Sequence, residues 1–434
     1  MNPSNSNITR RRVLTAALAA PVISKMPWVI SPARAGSTVN LQFMYPVGVS
    51  GDINTIITGM IADFNEQHPG IVVEAVYAGT YESTEQKVIT DIGVGAPPAL
   101  WLPINSALQT FLGVDALEDL TDVAKADDIY EDFIGGFLDT CISDGRLYGL
   151  SFQPSTPVLY YNKAALAEAG VEAAPETWDD LFETAQALTI RGGDTPSRWG
   201  LTVGGGWHDW IFEAFCRQNE LLPWEGDKVL WDRPEAVEAL QFWKAMVDVG
   251  CMAPSSTWQG SANDFMAGST AMLYHSTGSL TNLRTSSSFD VGVAMMPKRK
   301  VWGASQGGGP IMIAKNQSDA HKEAAWTFAR WMTSTDVQAE WGMATGYLAV
   351  RKSSWETKVM QDYLAKVPEA RTALNQAEYS GAYLQVPAYA RARDVIKSAI
   401  DRTLVGEIEP EAALTAAATD MNREIARVMR RQRG

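Results

Sequence analysis

The stretch Asp144–Lys163, reading DGRLYGLSFQPSTPVLYYNK, decides how this chain is organised. A polar turn, Asp144-Gly145-Arg146, leads through Leu147, Tyr148 and Leu150 into a segment flanked by Pro154 and Pro157. An aromatic and β-branched run, Val158 to Tyr161, follows. Turn residues bracket apolar runs too short for helices, which predicts two strands joined by an extended, proline-stiffened crossing. Taken alone, the pattern equally suits a strand pair in an α/β enzyme. The flanking sequence narrows the choice.

Upstream, Val39–Tyr45 alternates apolar and polar residues as a strand does, and Ile53–Asn65 carries Ile56, Ile57, Met60, Ile61 and Phe64 at helical spacing. His68-Pro69-Gly70 stops that helix and Ile71–Val73 resumes β structure. Tyr81–Ile92 reads as a second helix, and Ala99–Ile104 as a buried strand presenting Asn105 and Ser106 at its carboxyl end. Strands alternating with helices predict an α/β lobe with a largely parallel sheet, whose ligands bind off the carboxyl ends of its strands. Downstream, Thr177 and Asp180 mark a helix start, Glu235–Val249 is amphipathic, Phe265–Leu273 steps from helix to strand, and Glu323–Trp341 reads as one long helix. A mostly helical tail begins at Tyr389.

The chain has 434 residues. Its first 35 read as an export leader: a basic block with Arg10-Arg11-Arg12, an apolar region from Leu14 to Ile23, and a small-residue site at Ala33-Arg34-Ala35. Cleavage is expected after Ala35, with the arginine pair suggesting the twin-arginine route and a general secretory leader as the rival. Pro21, Lys25, Pro27 and Pro32 break the apolar run too soon for a membrane span. Five of the 36 basic residues and none of the 50 acidic ones fall in the leader, so the remainder carries 31 − 50 = −19. That charge excludes a nucleic-acid partner of the usual basic kind. The remaining length exceeds what one core usually serves, which predicts two domains. Cys141, Cys216 and Cys251 are far apart and allow at most one bridge; three buried thiols fit equally.

Gly303-Ala304-Ser305-Gln306-Gly307 matches the GxSxG of secreted hydrolases, but glycines follow it where a nucleophile elbow needs a helix. The only downstream histidine, His321, lies in a polar segment, and none of the four histidines falls in a metal-binding spacing. Neither an enzyme, nor a metal, nor a cofactor is expected. Seven of the fifteen tryptophans lie between Trp199 and Trp258. Most read as core, but Trp207 and Trp210 follow Gly204-Gly205-Gly206, where exposure allows a stacking platform for a sugar or polyol. Ser155, Ser276, Gly308, Tyr347 and Arg393 offer hydroxyls, a loop amide and a guanidinium of the kind that satisfies phosphate oxygens. Singly, each reads equally as a turn or a solvated helix residue.

These strings together resemble the solute-binding proteins of carbohydrate ABC importers. Within that family the chain is most similar to glycerol-3-phosphate and glycerophosphodiester binders. The resemblance is carried by Gly79-Thr80-Tyr81-Glu82, Ser155–Lys163 (STPVLYYNK), Gly206–Trp210, Ser276–Leu280 with Met295-Met296-Pro297, Gly307-Gly308, Thr345–Leu348, and Pro387–Arg393 followed by Gly406. It implies an α/β, two-lobed periplasmic-binding-protein fold with a hinge and an interlobe cleft. One lobe would comprise residues 36–154 and 305–355, the other 155–304 and 356–434, with crossings near Ser155, near Gly303 and beyond Tyr347. Tyr81 and Ser155 would meet the glycerol end; Ser276, Gly308, Tyr347 and Arg393 the phosphate; Trp207 would stack. Asn105 stands where the family usually places a glutamate, which weakens the glycerol half of that assignment. The implied protein is a periplasmic monomer that passes a phosphorylated polyol, or alternatively an uncharged sugar, to the permease subunits.

Overall fold

The computed structural model describes residues 38–433 apart from Ser50, Asp128, Asp194 and Ser255, so the expected leader and its cleavage site lie outside the described residues. Within Asp144–Lys163 the chain changes sheets. Gly149–Ser151 belongs to one five-stranded sheet and Pro157–Asn162 to another. Residues 152–156 span the gap, with Pro154 unable to donate to either ladder.

The first sheet runs in the order Ile71–Tyr77, Val39–Tyr45, Leu100–Trp101, Pro310–Ile313, Gly149–Ser151. Its first three strands and Gly149–Ser151 run the same way and Pro310–Ile313 alone runs against them, so the sheet is mixed, with one reversed strand among five. The cause is topological. Pro310–Ile313 arrives from the second sheet without a crossover helix and pairs in the opposite sense. The second sheet runs Val291–Ala294, Pro157–Asn162, Thr270–Ser276, Thr195–Val203, Ile190–Gly192, with Thr270–Ser276 at its buried centre.

Three segments passing between the sheets lie side by side. Ser155 and Gly307 exchange backbone bonds at 3.2 and 2.7 Å, and the Leu348 N–H donates to the Pro154 carbonyl at 3.0 Å. A hinge of paired backbones can flex without stranding polar groups, because each partner is itself part of the crossing.

Helix boundaries follow local chemistry. Thr177 caps Trp178–Leu188 in a reciprocal capping box with Asp180, both bonds 3.1 Å. The expected helix Glu323–Trp341 is instead two, Asp319–Met332 and Thr335–Thr345. Thr333 turns its hydroxyl back to the Ala329 carbonyl at 2.9 Å and Ser334 adopts an extended cap conformation, which restarts the chain in a new direction. The expected strand Ala99–Ile104 pairs only at Leu100–Trp101, then passes through Ile104 into a tight turn at Asn105–Ala107. Cys141, Cys216 and Cys251 are buried free thiols.

Candidate functional site

Between the sheets lies a small chamber, with about 340 Å³ of empty space once the solvent at its mouth is included. Of the sequence-predicted residues, Tyr81, Ser155, Trp207, Trp210, Ser276, Gly308 and Tyr347 line it; Asn105 and Arg393 do not. Trp258 and Tyr383 complete an aromatic wall that sequence reasoning did not assign to the site. Trp258 lay within the tryptophan-rich segment; Tyr383 carried no signal.

Each wall residue is placed by a chain end. Tyr81 opens the helix Tyr81–Gly93 behind the Thr80 cap, and Gln153 Nε2 donates to its hydroxyl at 2.6 Å. Trp207 caps the helix His208–Gln218, Trp258 opens Trp258–Met266, and Ser276 ends the central strand, accepting from the Gly278 N–H at 3.1 Å. Tyr347 follows a left-handed Gly346 and lies parallel to Trp341, their centroids 5.5 Å apart. A Cβ on Gly278 would sit 2.7 Å from the Tyr347 ring, so only glycine lets that ring reach the chamber. Tyr81 and Trp207 meet edge to face at 5.9 Å, Trp207 and Trp258 at 6.5 Å, Trp210 and Trp258 at 6.4 Å.

Most polar tips of these rings are turned into the protein. Trp258 Nε1 donates to the Gly48 carbonyl and Trp210 Nε1 to the Ser305 carbonyl, both at 3.1 Å. The Tyr383 hydroxyl donates to Asp209. By contrast, the Ser155 hydroxyl and the Gly308 N–H have no partner among the described residues. The chamber lining contains no charged side chain.

Asn105 is buried behind this wall. Its Nδ2 donates to the Gln306 carbonyl at 2.7 Å and its backbone N–H to the Gly308 carbonyl at 3.0 Å, so it fastens the strand beside the crossing and does not line the chamber. Arg393 is likewise consumed internally. Nε donates to Asp209 at 2.9 Å, Nη1 to Glu82 at 2.7 Å and Nη2 to the Gly206 carbonyl at 3.0 Å. Its guanidinium stacks 4.0 Å from the Trp207 ring centre. A charge this deep must be compensated. Burial alone would raise the Asp209 carboxyl, but Arg393, His208 and the Tyr383 hydroxyl together hold it below its ordinary value. Arg393 therefore connects Glu82, one turn from the first sheet, to Asp209 beside the second. One turn along, Tyr389 bonds to Glu85, whose carboxyl burial pushes up to about 8. His275, stacked 3.6 Å from Trp258, is pushed down to about 3 by burial and stays neutral. Ser305 of the GxSxG string is fully buried with an unpartnered hydroxyl and no histidine beside it among the described residues, so that motif has no base.

The family profile of bacterial extracellular solute-binding proteins matches residues 59–368. The chain belongs to that family. It is 28% identical over 353 residues to the sn-glycerol-3-phosphate-binding periplasmic protein UgpB of Escherichia coli K12, covering 76% of this chain and 78% of the relative. Against UgpB of Pectobacterium atrosepticum the identity is 26% over 396 residues, 86% of each chain. Among solved structures, UgpB from Mycobacterium tuberculosis in complex with glycerophosphocholine superposes with a TM-score of 0.81 at 23% identity, covering 92% of this chain and all of that one. The sugar-binding MalE of Xanthomonas citri superposes at 0.77 with 22% identity, over 90% and 98% of the two chains. The fold is thus the two-lobed one of periplasmic solute-binding proteins, and the protein is the solute-binding component of an ABC importer. These relatives are named as binding proteins. No helix among the described residues is long and apolar enough to cross a membrane.

Proposed function

We propose that this protein captures a small phosphate-bearing polyol, a glycerophosphodiester in preference to glycerol 3-phosphate, between its lobes and presents it to the permease as a monomer. Residues 36–154 with 305–355, and 155–304 with 356–434, would move as the two lobes about the paired crossings at Ser155, Gly307 and Leu348. The observation that carries the reading is the pair of unused donors, Ser155 Oγ and Gly308 N–H, in a chamber of a chain whose relatives bind glycerol 3-phosphate. Neutral donors suit a phosphate oxygen. With no free cation in the lining, a monoanionic diester is favoured over a dianionic monoester. Tyr81, Trp207, Trp210, Ser276 and Tyr347 would shape the rest of the ligand set. Asn105 and Arg393 would act from behind it.

An uncharged sugar is the second reading, favoured by the same charge-free lining and by the aromatic walls. Ligand-induced thermal stabilisation without turnover separates the two, since only a molecule that binds the folded state raises its apparent stability. Stabilisation by glycerophosphodiesters and not by neutral sugars is expected. Stabilisation by sugars alone would overturn the phosphate reading. Native mass spectrometry of protein purified from its host identifies any ligand retained.

A further inference from the structure

We infer that the chain carries its own closure latch: Glu82 and Glu85 on a helix of the first lobe bond to Arg393 and Tyr389 on a helix of the second, and these four positioning residues set how tightly a ligand is held. None of the four lines the chamber. The inference rests on the division into lobes proposed above and not on the identity of the ligand. Helix Tyr81–Gly93 lies against Val39–Tyr45 of the first sheet. Helix Tyr389–Leu404 packs on His208–Gln218, whose Phe215 meets Tyr274 of the second sheet at 5.6 Å. Glu82 and Glu85 are three residues apart and Tyr389 and Arg393 four, so each pair shares one helix face. The two faces meet directly, with Glu82 on Arg393 and Glu85 on Tyr389.

The two groups at the centre of the latch are each held from behind within their own lobe. Arg393 is fixed by Asp209 at 2.9 Å and by the Gly206 carbonyl at 3.0 Å, both on its own side, which leaves Nη1 to reach Glu82 across the gap at 2.7 Å. On the other side Glu85 Oε1 accepts from the Ile104 N–H at 3.1 Å, and Oε2 accepts from the Tyr389 hydroxyl across the gap. Guanidinium and carboxylate are thus positioned before the lobes meet, so closing has little left to order. The outer bond lies at a wet rim, since the Glu82 side chain is 53% exposed, whereas Glu85 and Tyr389 are buried behind it. An exposed ion pair adds little to folding. A bond made in only one of two interconverting forms is different: it shifts their balance directly. Apparent affinity then scales with the fraction of molecules in the closed, binding-competent form.

Small-angle scattering of the mature protein, dialysed free of solute, tests this on wild type, Glu82→Ala, Tyr389→Phe and the double variant. Glu82 is exposed and phenylalanine keeps the Tyr389 ring, so both variants should fold; if Tyr389→Phe lowers the urea midpoint sharply, Glu82→Ala alone carries the comparison. Wild type is expected to give the radius of gyration of the closed structure and the double variant a larger one, with each single variant between. The double variant should bind sn-glycerol 3-phosphate or glycerophosphocholine about fivefold or more weakly in calorimetry, and saturating ligand should return it to the closed radius. Equal radii for wild type and double variant before ligand is added, whether open or closed, would overturn the latch; the phosphate reading then still stands if either probe binds. A compact wild type and an extended double variant, neither responding to either probe, would keep the latch and overturn the phosphate reading.

Discussion

Replacing Arg393 with alanine should damage the fold more than it damages the chemistry of binding. The guanidinium touches Asp209, Glu82, the Gly206 carbonyl and the Trp207 face, but not the chamber. Removing one partner of a buried ion pair typically costs about 3–5 kcal/mol, because the other charge stays buried and uncompensated. Asp209 is that charge; its side chain is 1% exposed. Glu82, at 53%, returns to water and adds little. The expected loss in unfolding free energy is therefore about 3–5 kcal/mol, read from the urea midpoint at an unchanged slope. Adding Asp209→Ala to Arg393→Ala should recover part of it, since the orphaned charge is then gone. Arg393→Lys should fall between, because an ammonium cannot reach three acceptors in one plane. If Arg393 instead gripped the ligand phosphate, as the family resemblance implies, Arg393→Ala would leave the urea midpoint nearly unmoved. It would then remove about 2–5 kcal/mol of binding in calorimetry. A stability change below about 1 kcal/mol with that loss of affinity would refute the argument from Asp209.

Burial raises the Glu85 carboxyl from 4.5 to about 8, so the folded state holds a proton that the unfolded state releases between those values. The stabilisation is complete below about 4.5 and lost as pH rises through 8, at most ~1.4 kcal/mol per pH unit. Glu85→Gln, which keeps an acceptor for the Ile104 N–H, should therefore gain on wild type steadily from pH 5 to pH 8; a pH-independent difference in denaturation midpoints would contradict this. Gly308→Ala should lower the melting temperature and weaken binding, since φ is +86° there and a Cβ would overlap the Gln153 carbonyl; the left-handed strain alone is worth about 1–3 kcal/mol. Export with cleavage after Ala35 predicts an intact mass beginning at Gly36, and Arg10→Lys with Arg11→Lys should block export if the twin-arginine route is used.

The crossing at Asp144–Lys163 was legible because turn residues, prolines and β-branched runs act locally, over a few bonds. The chamber was legible for a related reason. Tyr81, Trp207 and Tyr347 each follow, within two residues, a glycine with positive φ: Gly79 at 92°, Gly206 at 88° and Gly346 at 105°. Such a glycine ends or starts a regular element, and the aromatic residue behind it projects from the chain end into the space between lobes. A glycine beside an aromatic residue is visible in sequence. Trp258 has no such glycine, and Gly381, two residues before Tyr383, lies in the strand Ser380–Ala382 and not at a left-handed turn; these two are the wall residues that reasoning from sequence passed over. Asn105 and Arg393 lie outside the chamber lining for another reason. Both have the right donors for a ligand, yet protein partners claim them. The Gln306 carbonyl is 201 residues from Asn105, and Asp209 and Glu82 are 184 and 311 residues from Arg393. Local pattern cannot show such competition. Whether a guanidinium serves a ligand or a carboxylate depends on which anion the fold brings first to within hydrogen-bond reach. Here the fold supplies two, Asp209 and Glu82, and Arg393 is bonded to both.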